Sequence, residues 1–310
     1  MHNYFHSLSD RTRGIFFVMF AVLVWTGWML LSSYSVRSTE VYLSAYDITA
    51  LRFGTAMTVM FPTLLKKGFR LGPWGIWGGI WLAIMMGAPY NVVAILGMKF
   101  ATMSHASMIQ TTMVGMTTLG GLVLLHEKTH WLKISGIIIS IIGVACLLTA
   151  HSASTDSTTW VGHVLFIIGG TMWSVYAVSM KKWKVDPMHT TAAVCFYSGV
   201  LYLPIYFLFL PSHISLANWH ASLFQAIYQG IINSVFALIC FNRGVSLLGA
   251  STASAFLPLI PAIATVASIP LLGQIPSGQE WLGVAIASIG VFLSSGILGN
   301  LLGQKEKAIA

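Results

Sequence analysis

Charge is what this chain mostly lacks. Of 310 residues, 8 are Asp or Glu and 16 are Lys or Arg, so 8% are charged, against ~25% in an ordinary soluble domain. No segment is polar enough to clothe a soluble core. Cysteine is scarce as well. Cys146, Cys195 and Cys240 are odd in number and fall inside apolar stretches, which argues against a disulfide framework or a cysteine metal site and leaves them as small buried hydrophobes. Also missing are a glycine-rich phosphate loop, a serine nucleophile elbow and a nucleic-acid-binding module. ATP hydrolysis on this chain and nucleic-acid partners are therefore not expected.

In place of charge there are long apolar runs. Hydrophobic residues make up 56% of the chain and mean hydropathy is +0.79. Between Arg13 and Lys305 the chain repeatedly runs 20 to 30 residues without Asp, Glu, Lys or Arg. A run of 18 or more apolar residues is long enough to cross ~30 Å of hydrocarbon as a helix. Ten helices are predicted, at 14–35, 46–65, 73–97, 101–125, 132–150, 160–181, 189–210, 220–242, 250–272 and 280–301. Two long runs are divided by turn residues, at Pro211-Ser212-His213 with Asn218-Trp219-His220 and at Pro276-Ser277-Gly278. The first run, Gly14 to Val36 after Arg11 and Arg13, holds 23 uncharged residues. That exceeds the ~7–15 of a signal-peptide core, so it reads as a retained helix. The fold class is an all-α integral membrane protein.

Cation placement supports the count. With the first helix entering from the cytoplasm, thirteen cations fall on that side: Arg11, Arg13, Lys66, Lys67, Arg70, Lys128, Lys133, Lys181, Lys182, Lys184, Arg243, Lys305 and Lys307. Arg37 and Lys99 fall on the other, and Arg52 lies within a span. Basic loops on the cytoplasmic side are the usual pattern of inner-membrane proteins, and a miscount by one helix would scramble it. Both termini are expected in the cytoplasm. The net charge of +8 is thus a membrane feature.

The chain also repeats itself. Glu127, Gly136, Ser140, Gly143 and Val144 stand opposite Gln274, Gly283, Ala287, Gly290 and Val291, each pair 147 positions apart, and Ser104 and Ser107 match Ser251 and Ser254. Nearer the start of each half the offset is 148, pairing Gly14 with Gly162, Trp25 with Trp173 and Trp28 with Tyr176. The halves are 1–150 and 151–310, with five helices each. Five is odd, so the second half enters the membrane from the opposite side. Such inverted repeats are typical of secondary transporters, which bind solute between the halves near the midplane. Gly136/Ser140 and Gly283/Ala287 are small-xxx-small spacings that suit close helix contact.

Several ordered features carry a resemblance. They are Trp25 and Trp173, Leu51-Arg52-Phe53, Leu124-Leu125-His126-Glu127 followed by Gly136 and Gly143-Val144, and Pro261 thirteen residues before Gln274. Over nearly the whole chain this set resembles the drug/metabolite transporter superfamily, in its ten-helix EamA-type branch. The chain departs from that pattern where Gln274 replaces a Glu and where Val114 stands opposite Pro261. If the terminal acid couples transport in relatives, only Glu127 supplies it here. The resemblance implies a basket-like bundle with a central cavity that moves small organic solutes, often outward, without a cofactor.

The polar and aromatic residues at membrane depth are the candidates for a site. Trp25/Trp28 and Trp173/Tyr176 are spaced i,i+3 and so share a helix face; core packing and cavity lining are both open to them. In the third helix, Pro89-Tyr90-Asn91 leaves the Met85 carbonyl unbonded and adds an amide, and Gln110 and Asn233 add two more. A buried amide must find a partner, across helices or along a wet pathway. Pro258 and Pro261 free the Ser254 and Leu257 carbonyls, as a static kink or a gate hinge. Arg52, the only strong cation within a span, costs ~2.5–3.5 kcal/mol at a helix centre on insertion scales. It must face the interior or snorkel; Asp47 is five residues away and poorly placed for a local pair. His105 and His163 read as satisfied histidines. Substrate-binding candidates are therefore Trp25, Trp28, Tyr90, Asn91, Gln110, Trp173, Tyr176 and Asn233, with Arg52, Glu127, Pro258 and Pro261 as gating or charge candidates. Helices 1, 3, 4, 6, 8 and 9 are expected to line the cavity, with 5 and 10 bracing it.

A rival chemistry has to be weighed. His126-Glu127-Lys128-Thr129-His130 is a literal H-E-x-x-H, which on a helix would set two imidazoles on one face for zinc, with Glu127 as base. It lies at the cytoplasmic end of the fourth span, and no acid inside another span offers a third ligand. The favoured expectation is a secondary transporter or exporter, not an enzyme, for an amino acid or related metabolite across the inner membrane by alternating access. Its partners would be the small-molecule substrate and the lipid bilayer.

Overall fold

The computed structural model describes residues 9–38, 43–126, 131–150, 156–215 and 217–295. The ten predicted segments are all helical: α1 Asp10–Arg37, α2 Ala45–Lys67, α3 Ile76–Phe100, α4 Ser107–Leu124, α5 Trp131–Leu148, α6 Thr159–Trp183, α7 Pro187–Phe209, α8 Trp219–Leu248, α9 Leu259–Leu272 and α10 Gly278–Ser294. The first nine are apolar and of spanning length, α9 being counted from Thr252, and the tenth is an apolar helix of 17 residues. The chain is an all-α membrane protein of ten helices.

Local chemistry sets the ends. Ser44 and Asp47 form a capping box at the start of α2, and Ser277 and Glu280 form another at α10. Asp186 caps α7 by accepting the His189 N–H at 2.7 Å, with Pro187 in the first turn where no N–H is needed. Gly249 and Gly273 follow α8 and α9 at positive φ, where a Cβ would be strained. Two boundaries differ most from the expectation. Ala101–Ala106 is tight turn and not helix, so α4 starts at Ser107. Turns at 255–258 delay regular α9 to Leu259, after the short helical turn Ala250–Ser254. Residues 296–301 of the tenth prediction lie outside the described residues.

The packing has two-fold character. α5 packs against α10 and α2 against α7; α1 with α8 is matched by α6 with α3, and α4 with α6 by α9 with α1. Exchanging the first five helices for the last five returns these main pairs. α5 and α10 approach closely: a Cβ on Gly136 would stand 2.6 Å from the Gly290 carbonyl oxygen. Ser140 donates to the Ala287 carbonyl across this seam at 3.3 Å. These are the small-residue spacings of the sequence, used to brace the bundle. Outward, the helices carry exposed Leu, Ile, Val and Phe. Exposed Trp74, Trp77, Trp131, Trp160, Trp219 and Trp281 sit at or beside helix starts, as an interfacial aromatic belt would require.

Candidate functional site

The site begins with Arg52. Two turns into α2, its side chain points into the bundle. Nη1 donates to Asn91 Oδ1 of α3 at 2.8 Å and Nε to Ser234 Oγ of α8 at 3.1 Å. Asn91 is itself held, its Nδ2 donating to Thr49 Oγ1 at 2.8 Å. Gly230 makes the α2–α8 approach possible, because a Cβ there would lie 2.5 Å from Thr55 Cβ. Asp47 does not pair with Arg52. It is buried in its capping box and accepts the Tyr206 hydroxyl and the His213 N–H.

α8 is π-helical over Ala226–Phe236. The wider turn shows in the Ser234 hydroxyl, which donates five residues back to the Gln229 carbonyl at 2.8 Å. Such stretches are uncommon and concentrate at functional sites. This one presents Asn233 and Ser234 inward. α3 is interrupted opposite. Its two pieces, Ile76–Met86 and Ala88–Phe100, meet at Gly87, whose contact with Ser198 leaves no room for a side chain. Ser198 Oγ accepts the Ala88 N–H at 3.3 Å. Pro89 therefore starts a new helix and does not bend an old one.

These elements enclose a central cavity of about 350 Å³. α1 contributes Trp25, Trp28 and Met29; α3 contributes Met86 and Tyr90 either side of its break; α4 contributes Ile109, Gln110 and Met113. α6 brings Trp173 and Tyr176, their rings 6.4 Å apart. α8 brings Asn233, Ser234, Leu238 and Phe241, the last 5.1 Å from the Trp25 ring; the turn before α9 brings Leu257 and α9 itself Ile260. Arg52 is the one charged residue of the wall, and no carboxylate of the described residues lies within ion-pair distance of it. Its Cζ stands 5.8 Å from the Trp28 ring centroid. Two buried polar atoms of the wall have no hydrogen-bond partner, Trp28 Nε1 and Asn233 Oδ1.

Of the predicted site residues, Trp25, Trp28, Tyr90, Gln110, Trp173, Tyr176, Asn233 and Arg52 come together on the wall. Asn91 does not; it stands behind Arg52 as its support. Pro258 and Pro261 lie at the start of α9, Pro261 accepting the Thr265 hydroxyl on its carbonyl. Sequence reasoning missed two whole helices of the wall: α2, which adds Phe53 to Arg52, and α7, which adds Thr191, Val194 and Cys195. The cation of α2 was a usable signal. α7 has no charged residue and its hydroxyl-bearing residues are spread around the helix, so it carried none.

Away from the cavity, the loop before α4 forms a second buried polar cluster. Thr102 Oγ1 donates to Glu280 Oε1 at 3.0 Å, Met103 N to Gln274 Oε1 at 3.0 Å, and the His105 and His163 rings lie 4.8 Å apart. Gln274, read as a departure at a functional acid, thus serves as a backbone acceptor. Arg37 donates to the Met98 and Ala101 carbonyls at 2.8 and 2.7 Å, closing the end of α3. On the lysine-rich face, Lys67 bonds Asp186 at 2.7 Å and holds that carboxyl below the usual carboxylate range.

The H-E-x-x-H reading finds no support. α4 ends at Leu124, and His126 is exposed with φ of +54°, so the helix that the motif needs has already stopped. Glu127 and His130 lie outside the described residues. Among the described residues no group of three or more His, Cys, Asp or Glu is placed to hold a metal.

A ten-helix bundle with paired halves and a central cavity defines the class of membrane carriers. A family model for EamA-like transporters matches residues 12–149 and again 160–296, and the chain belongs to that family. An uncharacterized transporter of Bacillus subtilis, YyaM, is 25% identical over 84% of this chain and 88% of its own length. An uncharacterized transporter of Archaeoglobus fulgidus is 23% identical over 84% and 90%. A probable terminal-alkyne amino-acid exporter of Streptantibioticus cattleyicolor is 24% identical over 71% and 72%. A crystal structure of a chain 19% identical superposes with a TM-score of 0.61, covering 94% of this chain and 99% of that one. That likeness concerns the fold.

Proposed function

We propose that this chain carries a small organic solute, an amino acid or related metabolite, across the inner membrane by alternating access between its two halves, 1–150 and 151–310. The observation that carries the reading is the cavity itself, at mid-span and walled by polar and aromatic residues from both halves.

Equivalent loops of the two halves support the motion. Ala101–Ile109 is buried at every residue, whereas its counterpart 248–256 exposes Gly249 and Thr252. One entrance is sealed by the Thr102–Glu280 and Met103–Gln274 bonds while the opposite one is less covered. With both termini in the cytoplasm, as the lysine-rich loops imply, this is an inward-facing state. The partially matching amino-acid exporter agrees with the solute class and with outward movement.

The test is counterflow. Proteoliposomes loaded with a metabolite mixture should exchange at least one labelled solute faster than empty vesicles do. No exchange of any compound, with or without an ion gradient, would sink the reading.

A further inference from the structure

At the lysine-rich end of the bundle, the α2–α3 loop of the first half meets the α6–α7 turn of the second. The loop is anchored to α7. His189 Nε2 bonds the Gly68 carbonyl at 2.8 Å, and the Tyr197 hydroxyl donates to the Phe69 carbonyl at 2.7 Å. Gly72, at a φ of +63°, passes so close to the Trp183 ring that a Cβ would stand 2.7 Å from it. The Trp74 ring lies 5.2 Å from that of Trp183 and 5.9 Å from that of Trp81. Arg70, whose stem lies against Gly75, flanks this aromatic cluster from the loop, and Lys182 and Lys184 flank it as the chain neighbours of Trp183. All three cations are exposed, and their side chains make no hydrogen bond or ion pair among the described residues. The described carboxylates of this face are already taken, Asp10 by Arg13 and Asp186 by Lys67. Lysines at the end of α6 also offset its dipole, but Arg70 stands in a loop where no dipole asks for it.

We propose that this cluster binds the headgroup of an acidic phospholipid in the leaflet at the lysine-rich face. Arg70 offers a planar pair of N–H donors that fits a phosphodiester, and Lys182 and Lys184 add positive charge from the other side of the rings. Trp74 is 55% exposed and Trp77 72% exposed, so indole surface is left where the glycerol backbone of a lipid lies. Exposed Ile76 and Ile84 continue that surface along α3 for the acyl chains. A free phosphate would use none of this apolar surface. Charge selects the headgroup: three uncompensated cations favour a lipid of net negative charge, whereas choline brings a cation of its own among them. Juxtamembrane Lys and Arg attract acidic lipids in general. What distinguishes this place is that its cations come from two segments, one in each half, held together through Trp74, Gly72 and Trp183. A lipid bound there joins the halves at this end. It lies apart from the central cavity and holds whether or not any solute is carried.

Native mass spectrometry of the detergent-purified protein tests this, with phosphatidylglycerol and phosphatidylcholine of the same acyl chains titrated in turn. Phosphatidylglycerol should bind about tenfold or more tighter, as expected when several cations meet one headgroup. A triple variant, Arg70→Gln, Lys182→Gln and Lys184→Asn, should lose most of that preference; Asn is chosen because position 184 has a positive φ. A control triple, Arg11→Gln, Lys99→Gln and Arg243→Gln, removes the same formal charge from other exposed positions and should keep the preference. Inorganic phosphate at millimolar concentration should not displace the lipid. Equal binding of the two lipids, a site triple that folds and keeps the preference, a control triple that loses it equally, or displacement by inorganic phosphate would overturn the site. Should the site triple not fold, the wild-type lipid order and the phosphate competition decide.

Discussion

Asn91 and Arg52 are bonded Oδ1 to Nη1 at 2.8 Å, and the amide is in turn fixed by Thr49. A residue with no surface on the cavity therefore sets the position of the one charge that has some. Because the amide is neutral, it orients the guanidinium without cancelling it.

That relationship makes Asn91→Asp an informative change. A carboxylate at the same place would pair with Arg52, as charge-assisted bonds do, and leave nothing for an anionic solute. The expected result is a folded protein with an unchanged or raised melting midpoint and solute exchange reduced by about tenfold or more. Retained exchange would show that the charge on Arg52 is not used.

The α5–α10 seam predicts a sharp contrast between two glycines. A Cβ on Gly143 would run into the Ala287 backbone, so Gly143→Leu must part the helices. Overpacking of this kind costs about 1–3 kcal/mol, read as earlier unfolding in a denaturant titration of the detergent-solubilised protein. A Cβ on Gly115 meets only Ile137 Cγ2, at 3.8 Å. Gly115→Ala should stay within about 0.5 kcal/mol of the parent.

Stability should depend on pH through His105, in the loop between α3 and α4. Burial first and the neighbouring His163 second push its pKa down to about 4, against an upward pull from Glu280. The unfolded imidazole titrates near ~6.5. With the folded value the lower, the unfolded chain takes up the proton first. Stability is then full above ~6.5 and falls as pH drops towards 4, by at most ~1.4 kcal/mol per pH unit. Melting midpoints measured from pH 7.5 downwards should decline, and His105→Gln should flatten the curve. A flat parent curve would contradict this.

Cysteine accessibility reads the asymmetry of the two entrances. In a background without the native cysteines, Thr252→Cys should react with a hydrophilic maleimide about tenfold or more faster than Ser104→Cys, because Thr252 is exposed and Ser104 is 2% exposed. Equal rates would mean that the two ends are equally open in solution.

Much of this architecture depends on properties that run along the chain and so could be read from it. Helix number follows from the length of uncharged runs, the pairing of halves from fixed offsets such as Gly136 to Gly283, and the lysine-rich face from loop composition. Arg52 announced itself because a cation within a span has few places to go. What the sequence did not carry is rotation about each helix axis. α7 has no charged residue, and its Thr, Ser and Tyr residues are spread around the helix, so no amphipathic stripe marks the face that looks inward. Packing alone turned Thr191 and Cys195 to the cavity and moved Asn91 behind its wall. The close seating of Gly230 on Thr55 and of Gly87 on Ser198 likewise depends on neighbours distant in the chain. Composition thus decided that the chain spans a bilayer in two related halves. Three-dimensional contact decided which few side chains line the void, because in a helix without an amphipathic stripe only its neighbours distinguish one side from another.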